Sequence, residues 1–141
     1  MAKYYKLTEE KIFIDGVVLH RIECTDIIPG KDVKVGEKGG FIETKKNLYG
    51  NAWVYGDAMV SGNAEVCGNA EVYGNADYIV FKNWWSSGRY FTWTRSNNMW
   101  AVGCFYGTGE ELIKKAYADS ECSGREYKRV VEYVQSILEE K

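Results

Sequence analysis

Between Lys82 and Tyr106 the chain interleaves cations with large aromatic rings, in the order Lys82, Trp84, Trp85, Arg89, Tyr90, Phe91, Trp93, Arg95, Trp100, Phe105 and Tyr106. Arginine and lysine pair with phosphate oxygens, and indole or phenol faces stack on bases, which are the two contacts a nucleotide requires. Lys82, Arg89 and Arg95 are therefore the candidate phosphate ligands, and Trp84, Trp85 and Tyr90 the candidate stacking surfaces. The competing use of the same residues is a core. Aromatics on strands that face helices are the readiest way to build one, and Trp93, Trp100 and Phe105 alternate with their neighbours as core positions of a sheet do. Consecutive tryptophans followed by Ser86-Ser87-Gly88 point to a loop, with at least one indole accessible.

Catalytic chemistry has little to work with. His20 is the one histidine of the chain and sits in a predicted strand, Val17 to Ile22, with no partner at a meaningful spacing. No nucleophile elbow, phosphate loop or metal-spaced cluster of His, Cys and Asp occurs, so no catalytic residue, no metal and no cofactor is expected. Gly36-Glu37-Lys38-Gly39-Gly40 lacks the Lys-Ser/Thr ending of a phosphate loop and is expected to be a turn before Phe41-Ile42-Glu43. Cys24, Cys67, Cys104 and Cys122 contain no C-x-x-C pair, which argues against a zinc site or a disulfide framework and for a reducing, cytoplasmic setting. No apolar run long enough for a membrane span or a leader peptide is present, and no membrane partner is expected.

A repeat dominates the architecture around these groups. Five tandem hexapeptides begin at Gly50, Gly56, Gly62, Gly68 and Gly74, each of the form Gly-Asn/Asp-Ala-x-Val/Tyr-x or close to it. Such a period matches one short strand and one corner of a β-helix. Ala52 and Val54, Ala58 and Val60, Ala64 and Val66, Ala70 and Val72, and Ala76 and Tyr78 share the inward face. Three hexads close one triangular turn, which puts Tyr55 over Tyr73 and Trp53 over Glu71 on the outer wall. Trp53, Tyr55 and Tyr73 are the candidate interface residues, and association into a homo-oligomer is expected because exposed aromatic walls need a cover.

The resulting expectation is a mainly β plus α chain. Residues 1–49 form an N-terminal β-hairpin cap, with a tight turn at Asp15-Gly16. Residues 50–79 form a short left-handed β-helix-like solenoid, and residues 80–141 a C-terminal βββαα unit. In that unit Tyr78 to Lys82, Arg89 to Thr94 and Met99 to Tyr106 are the strands. Thr108-Gly109-Glu110-Glu111 and Ser123-Gly124-Arg125-Glu126 are capping boxes that open the two helices. The net charge is −2, but Asp57, Glu65, Glu71 and Asp77 fall in the repeats and Lys82, Arg89 and Arg95 in the stretch that follows. The two segments are expected to complement each other, and nonspecific nucleic-acid binding is disfavoured because no run rich in Lys and Arg appears.

The repeats resemble those of hexapeptide-repeat acyltransferases, enzymes that use a histidine between subunits; His20 lies outside the repeats and does not match that role. Taken over nearly the whole chain, the order of motifs resembles uncharacterised accessory proteins of phages and prophages. The motifs are Tyr5-Lys6-Leu7-Thr8-Glu9, Gly39-Gly40-Phe41-Ile42-Glu43, the Gly-Asn-Ala hexads, and Gly103-Cys104-Phe105-Tyr106-Gly107-Thr108. That resemblance implies a counter-defence protein in the cytoplasm of a bacterial host. Its first expected function is non-enzymatic sequestration of a cyclic nucleotide or ADP-ribose-type immune signal. The alternative is an anti-CRISPR-type inhibitor that binds a host defence protein directly, and an acyltransferase comes third.

Overall fold

The computed structural model describes residues 4–139. Strands β1 (Tyr5–Ile14) and β2 (Val17–Cys24) form an antiparallel hairpin. Its turn is the expected Asp15-Gly16, where both residues take positive φ, 52° and 81°, as a two-residue turn matched to strand twist requires. Strand β3 (Lys38–Ile42) pairs antiparallel with β2. The turn expected over the whole Gly36 to Gly40 segment is confined to its start. Gly36 has φ 92°, whereas Gly39 and Gly40 are buried inside β3, pressed against Val54 and Ala58.

The hexads supply β4 (Trp53–Val54), β5 (Met59–Val60) and β6 (Glu71–Val72), each two residues long. β5 joins β3 in parallel and completes a sheet of order β1-β2-β3-β5, while β4 and β6 pair only with each other. The β-helix-like solenoid is thereby overturned: the chain is a small α+β protein with several sheets and two helices, and among the described residues no sheet closes or coils on itself. Pairing at an eighteen-residue offset recurs, joining Phe41 to Met59, Leu48 to Val66 and Trp53 to Glu71, but it is divided among separate short ladders. Gly50, Gly56, Gly62 and Gly68 turn their corners at φ 59° to 66°. Gly74 instead has an extended φ of −169° and leads into a 3-10 turn, Asn75–Asp77. Asp77 Oδ2 accepts the amide protons of Tyr73 and Gly74 and so ends the run.

The inward Ala and Val positions of the first four hexads are all buried, together with Ile22, Ile28, Ile42 and Leu48, in one core. Ala76, in the fifth, is exposed. Trp53, expected outside, is 1% exposed and belongs to this core, because β3 and the N-terminal loop lie over that wall. Tyr55 and Tyr73 do stack, with centroids 4.4 Å apart and planes at 12°.

Tyr5 closes the same core. Its hydroxyl donates to the Leu48 carbonyl at 2.9 Å and lies 3.2 Å from that of Lys45. Burial, reinforced by the neighbouring Tyr49, pushes its pKa up to about 12. The unfolded chain ionises near pH 10 and the folded one resists, so this protonation-linked stability is complete below pH 10 and is lost as the pH climbs toward 12. The loss is on the order of 2–3 kcal/mol. Chemical unfolding followed between pH 8 and 12 is expected to show this decline in the native chain and a shallower one in Tyr5→Phe.

The C-terminal sheet has order β10-β9-β8-β7, all antiparallel. β7 (Tyr78–Lys82) and β8 (Tyr90–Thr94) match expectation. The third expected strand is two, β9 (Met99–Val102) and β10 (Phe105–Gly107), because Gly103 at φ 58° opens a tight turn with Cys104. α1 (Gly109–Asp119) starts on the expected Thr108 capping box. α2 (Glu121–Glu139) starts earlier than Ser123: the hydroxyl of Ser120, whose own backbone is extended, accepts the Ser123 amide proton at 3.0 Å. This places Ser123 and Gly124 within the first turn and lets α2 pack on the Tyr117 ring at Gly124.

Strand alternation divides the faces of this sheet. Phe91, Trp93, Trp100 and Val102 meet Leu112, Ala116, Tyr127, Val131 and Val134 of the helices in a second core. Tyr78 and Val80 face the first core, and Thr92 Oγ1 accepts the Glu65 amide proton at 2.9 Å. The repeats are thus covered by hydrogen bonds and apolar contact rather than by charge. Asp57 pairs with Arg21 and Glu71 with Lys31, both cations of the N-terminal segment. Among the described residues no ion pair joins the repeat carboxylates to Lys82, Arg89 or Arg95.

Candidate functional site

The loop from Asn83 to Arg89 sets the position of the candidate site. Asn83 is 4% exposed, and its side chain organises the turn: Oδ1 accepts from the Ser86 amide at 2.9 Å and the Ser86 hydroxyl at 3.2 Å, while Nδ2 lies 3.4 Å from the Tyr127 hydroxyl. Main-chain bonds from Asn83 N to Arg89 O and from Gly88 N to Asn83 O close it, with Gly88 at φ 73°. Trp85 folds back under the loop. Its Nε1 donates to Ser123 Oγ at 3.2 Å and its ring meets Tyr127 edge-on, with centroids 4.9 Å apart. Trp84 remains outside, 71% exposed.

Between this loop, the β9–β10 turn and the two helices lies a pocket of about 330 Å³. Its floor is apolar, from Val102, Phe105, Leu112 and Ala116, and its rim carries Arg89, Lys115, Asp119 and the hydroxyls of Ser86, Ser87, Ser123 and Tyr127. The Arg89 side chain lies across Gly103, where a Cβ would collide with its guanidinium. Among the described residues that guanidinium has neither a carboxylate nor a hydrogen-bond acceptor, whereas Lys115 has Asp119 at 4.0 Å. Burial pushes the Tyr127 hydroxyl above its ordinary pKa; its bond with Asn83 and the positive charge of Arg89 partly offset this, and Tyr127 stays a neutral donor at neutral pH. A rigid loop, an unpaired guanidinium and several hydroxyls around an apolar floor suit an anion attached to a small ring system.

The structure does not bring the six candidate ligand residues together. Arg89 alone lines this pocket. Lys82 and Tyr90, directly paired across β7 and β8, point to the opposite face, where Lys82 Nζ sits 5.9 Å from the Tyr90 ring centroid. Arg95 is at the far end of β8, roughly 20 Å away for six extended residues. Trp85 is a packing residue, and Trp84 is accessible beside the loop. Asn83, Lys115, Ser123 and Tyr127 were not evident as site residues. The signals available for the last three were helical spacing with Asp119 and Ala116 on α1, and a Ser-Tyr pair one turn apart on α2.

His20 is half-buried with Nδ1 3.3 Å from the Thr8 carbonyl. Cys67 is held as a thiol by burial and by Glu65, which push its pKa up to about 11. Among the described residues no group of His, Cys, Asp and Glu is arranged to hold a metal, and no helix is long and apolar enough to cross a membrane. Fold and pocket together define a small α+β protein with a cationic cleft between a four-stranded sheet and two helices. No protein-family model matches the chain, and comparison with curated proteins finds no match.

Proposed function

We propose that this chain is a non-enzymatic binding protein for a small phosphate-bearing ligand of the nucleotide or ADP-ribose type, held in the Arg89 pocket. The observation that carries this reading is the Arg89 guanidinium, unpaired among the described residues at the mouth of a cavity with an apolar floor. Guanidinium and phosphate form paired charge-assisted hydrogen bonds, and Ser87, Ser123 and Tyr127 supply further donors. A volume of about 330 Å³ admits one nucleotide unit rather than a cyclic trinucleotide. The counter-defence role, sequestration of an immune signal in a bacterial host, rests on the resemblance to phage accessory proteins.

Thermal-shift and calorimetric titration with cyclic and linear mononucleotides, cyclic dinucleotides and ADP-ribose tests the reading. A ligand at about 100 times its dissociation constant adds ~2.7 kcal/mol to the native state. Arg89→Ala is expected to weaken binding about 100-fold while leaving the melting temperature of the free protein unchanged, since Arg89 is exposed and unpaired. A flat panel overturns this reading and favours the second one, direct inhibition of a host protein. Trp84 supports that alternative: a large aromatic ring 71% exposed on a loop is the form of an interface anchor. Trp84→Ala would then abolish capture of the partner.

A further inference from the structure

A separate cavity of about 460 Å³ opens where the first turn of α1 meets β9 and α2. Trp100 of β9 forms part of its wall and is 1% exposed. The indoles of Trp85 and Trp93 donate to Ser123 and Asn98, but Trp100 Nε1 donates to no group among the described residues. Gly109 leaves that nitrogen uncovered: a Cβ there would sit 3.4 Å from Nε1 and 2.7 Å from Val131 Cγ1.

The first two amides of α1, at Gly109 and Glu110, belong to residues that line the same cavity. They have no intrahelical acceptor, and the cap engages only the next one, Glu111, whose amide proton goes to Thr108 Oγ1 at 3.2 Å. Three donors thus belong to residues that line one concave site beside the first turn of an eleven-residue helix, its positive end. A simple anion does not suit it, because Glu110 and Glu132 also line the cavity and neither has a cation among the described residues. Glu111 is not available to the cavity, since its Oε1 accepts the Thr108 amide proton at 2.8 Å. Ile113, Val131 and Val134 are the aliphatic residues of the cavity's lining.

We propose that this cavity binds an aliphatic amino carboxylate. The ligand carboxylate accepts from Trp100 Nε1 and the α1 amides, its methylene stem lies along Val131 and Ile113, and its ammonium group meets Glu110 and Glu132. Two sources present this chemistry, a free amino acid and the C-terminal lysine of a peptide.

Isothermal titration of the full chain with 6-aminohexanoate and with N-acetyl-Gly-Lys tests the proposal. One-to-one binding of at least one of them is expected, with hexanoate and hexylamine each at least about tenfold weaker because each engages only one end. Binding of 6-aminohexanoate alone assigns a free amino acid, and binding of the capped dipeptide assigns a peptide C-terminus. Trp100→Phe and Glu132→Gln are each expected to lower affinity about tenfold or more, whereas Arg89→Ala, in the other pocket, leaves it unchanged. Glu132 is exposed, so Glu132→Gln decides the matter if Trp100→Phe does not fold. The proposal is overturned if neither probe binds at up to about 10 mM. It is also overturned if the single-headed compounds bind as well as the double-headed ones, or if Glu132→Gln binds like the native chain.

Discussion

Asn47→Ala is expected to lower the unfolding free energy by about 3–5 kcal/mol. Asn47 is fully buried. Its Oδ1 accepts the amide protons of Glu43 and Thr44 at 3.1 and 3.0 Å, and its Nδ2 reaches the carbonyls of Gly62 and Ala64 at 3.3 and 2.9 Å. One side chain thus satisfies four main-chain groups and ties the end of the N-terminal sheet to the third hexad. Alanine removes every one of these partners while the surrounding wall continues to exclude water, so the desolvated groups keep their cost without the compensating bonds. Asn47→Asp retains the acceptor but sets a carboxylate oxygen against the Gly62 and Ala64 carbonyls in a buried site, and is expected to cost at least as much as alanine. Urea titration followed by tryptophan fluorescence measures the series; a loss below about 1 kcal/mol for the alanine variant would show that water or a backbone shift replaces the amide.

Gly40→Ala is expected to cost about 3 kcal/mol or more, through overpacking rather than lost bonding. An added Cβ would collide with the Ala58 carbonyl oxygen and lie 2.6 Å from Val54 Cγ1. That oxygen also accepts the Phe41 amide proton at 2.9 Å, so the strand cannot move away without breaking the junction between β3 and β5. Gly39 is equally confined, with Val54 O at 2.6 Å and Ile22 Cγ1 and Trp53 Cζ2 at 2.8 Å from the corresponding point. Gly74→Ala is the internal control: nothing lies within 4 Å of its Cβ position and its backbone is extended, so a change within about 0.5 kcal/mol is expected. Equal melting temperatures for Gly40→Ala and Gly74→Ala would contradict the close approach at β3.

These two positions also show where sequence patterns stop being informative. Asn47 precedes the five hexads in Lys45-Lys46-Asn47-Leu48, and nothing in that stretch distinguishes a buried amide from a solvated turn residue. Gly39-Gly40 has the composition of a turn and lies inside a strand, because what demands glycine there is the neighbouring backbone, far away in sequence. Alternation alone predicts Trp53 on an outer wall. Alternation distinguishes the two sides of a strand but does not say which of them another segment covers, and here both are covered.

The features legible in the residues alone are local. The Asp15-Gly16 hairpin, the Thr108 cap, the burial of Ala and Val in four hexads, and the core positions of Trp93 and Trp100 follow from turn chemistry, capping and side-chain periodicity over a few residues. The tertiary structure alone decided what those elements became together. It drew the second hexad into the N-terminal sheet, split the third C-terminal strand, placed Arg89 on the helix side of β8 with Lys82 and Tyr90 on the other, and left Trp100 Nε1 facing a cavity. Such outcomes depend on contacts between segments distant in the chain, where packing and the exclusion of water select one arrangement from many that share the same local preferences.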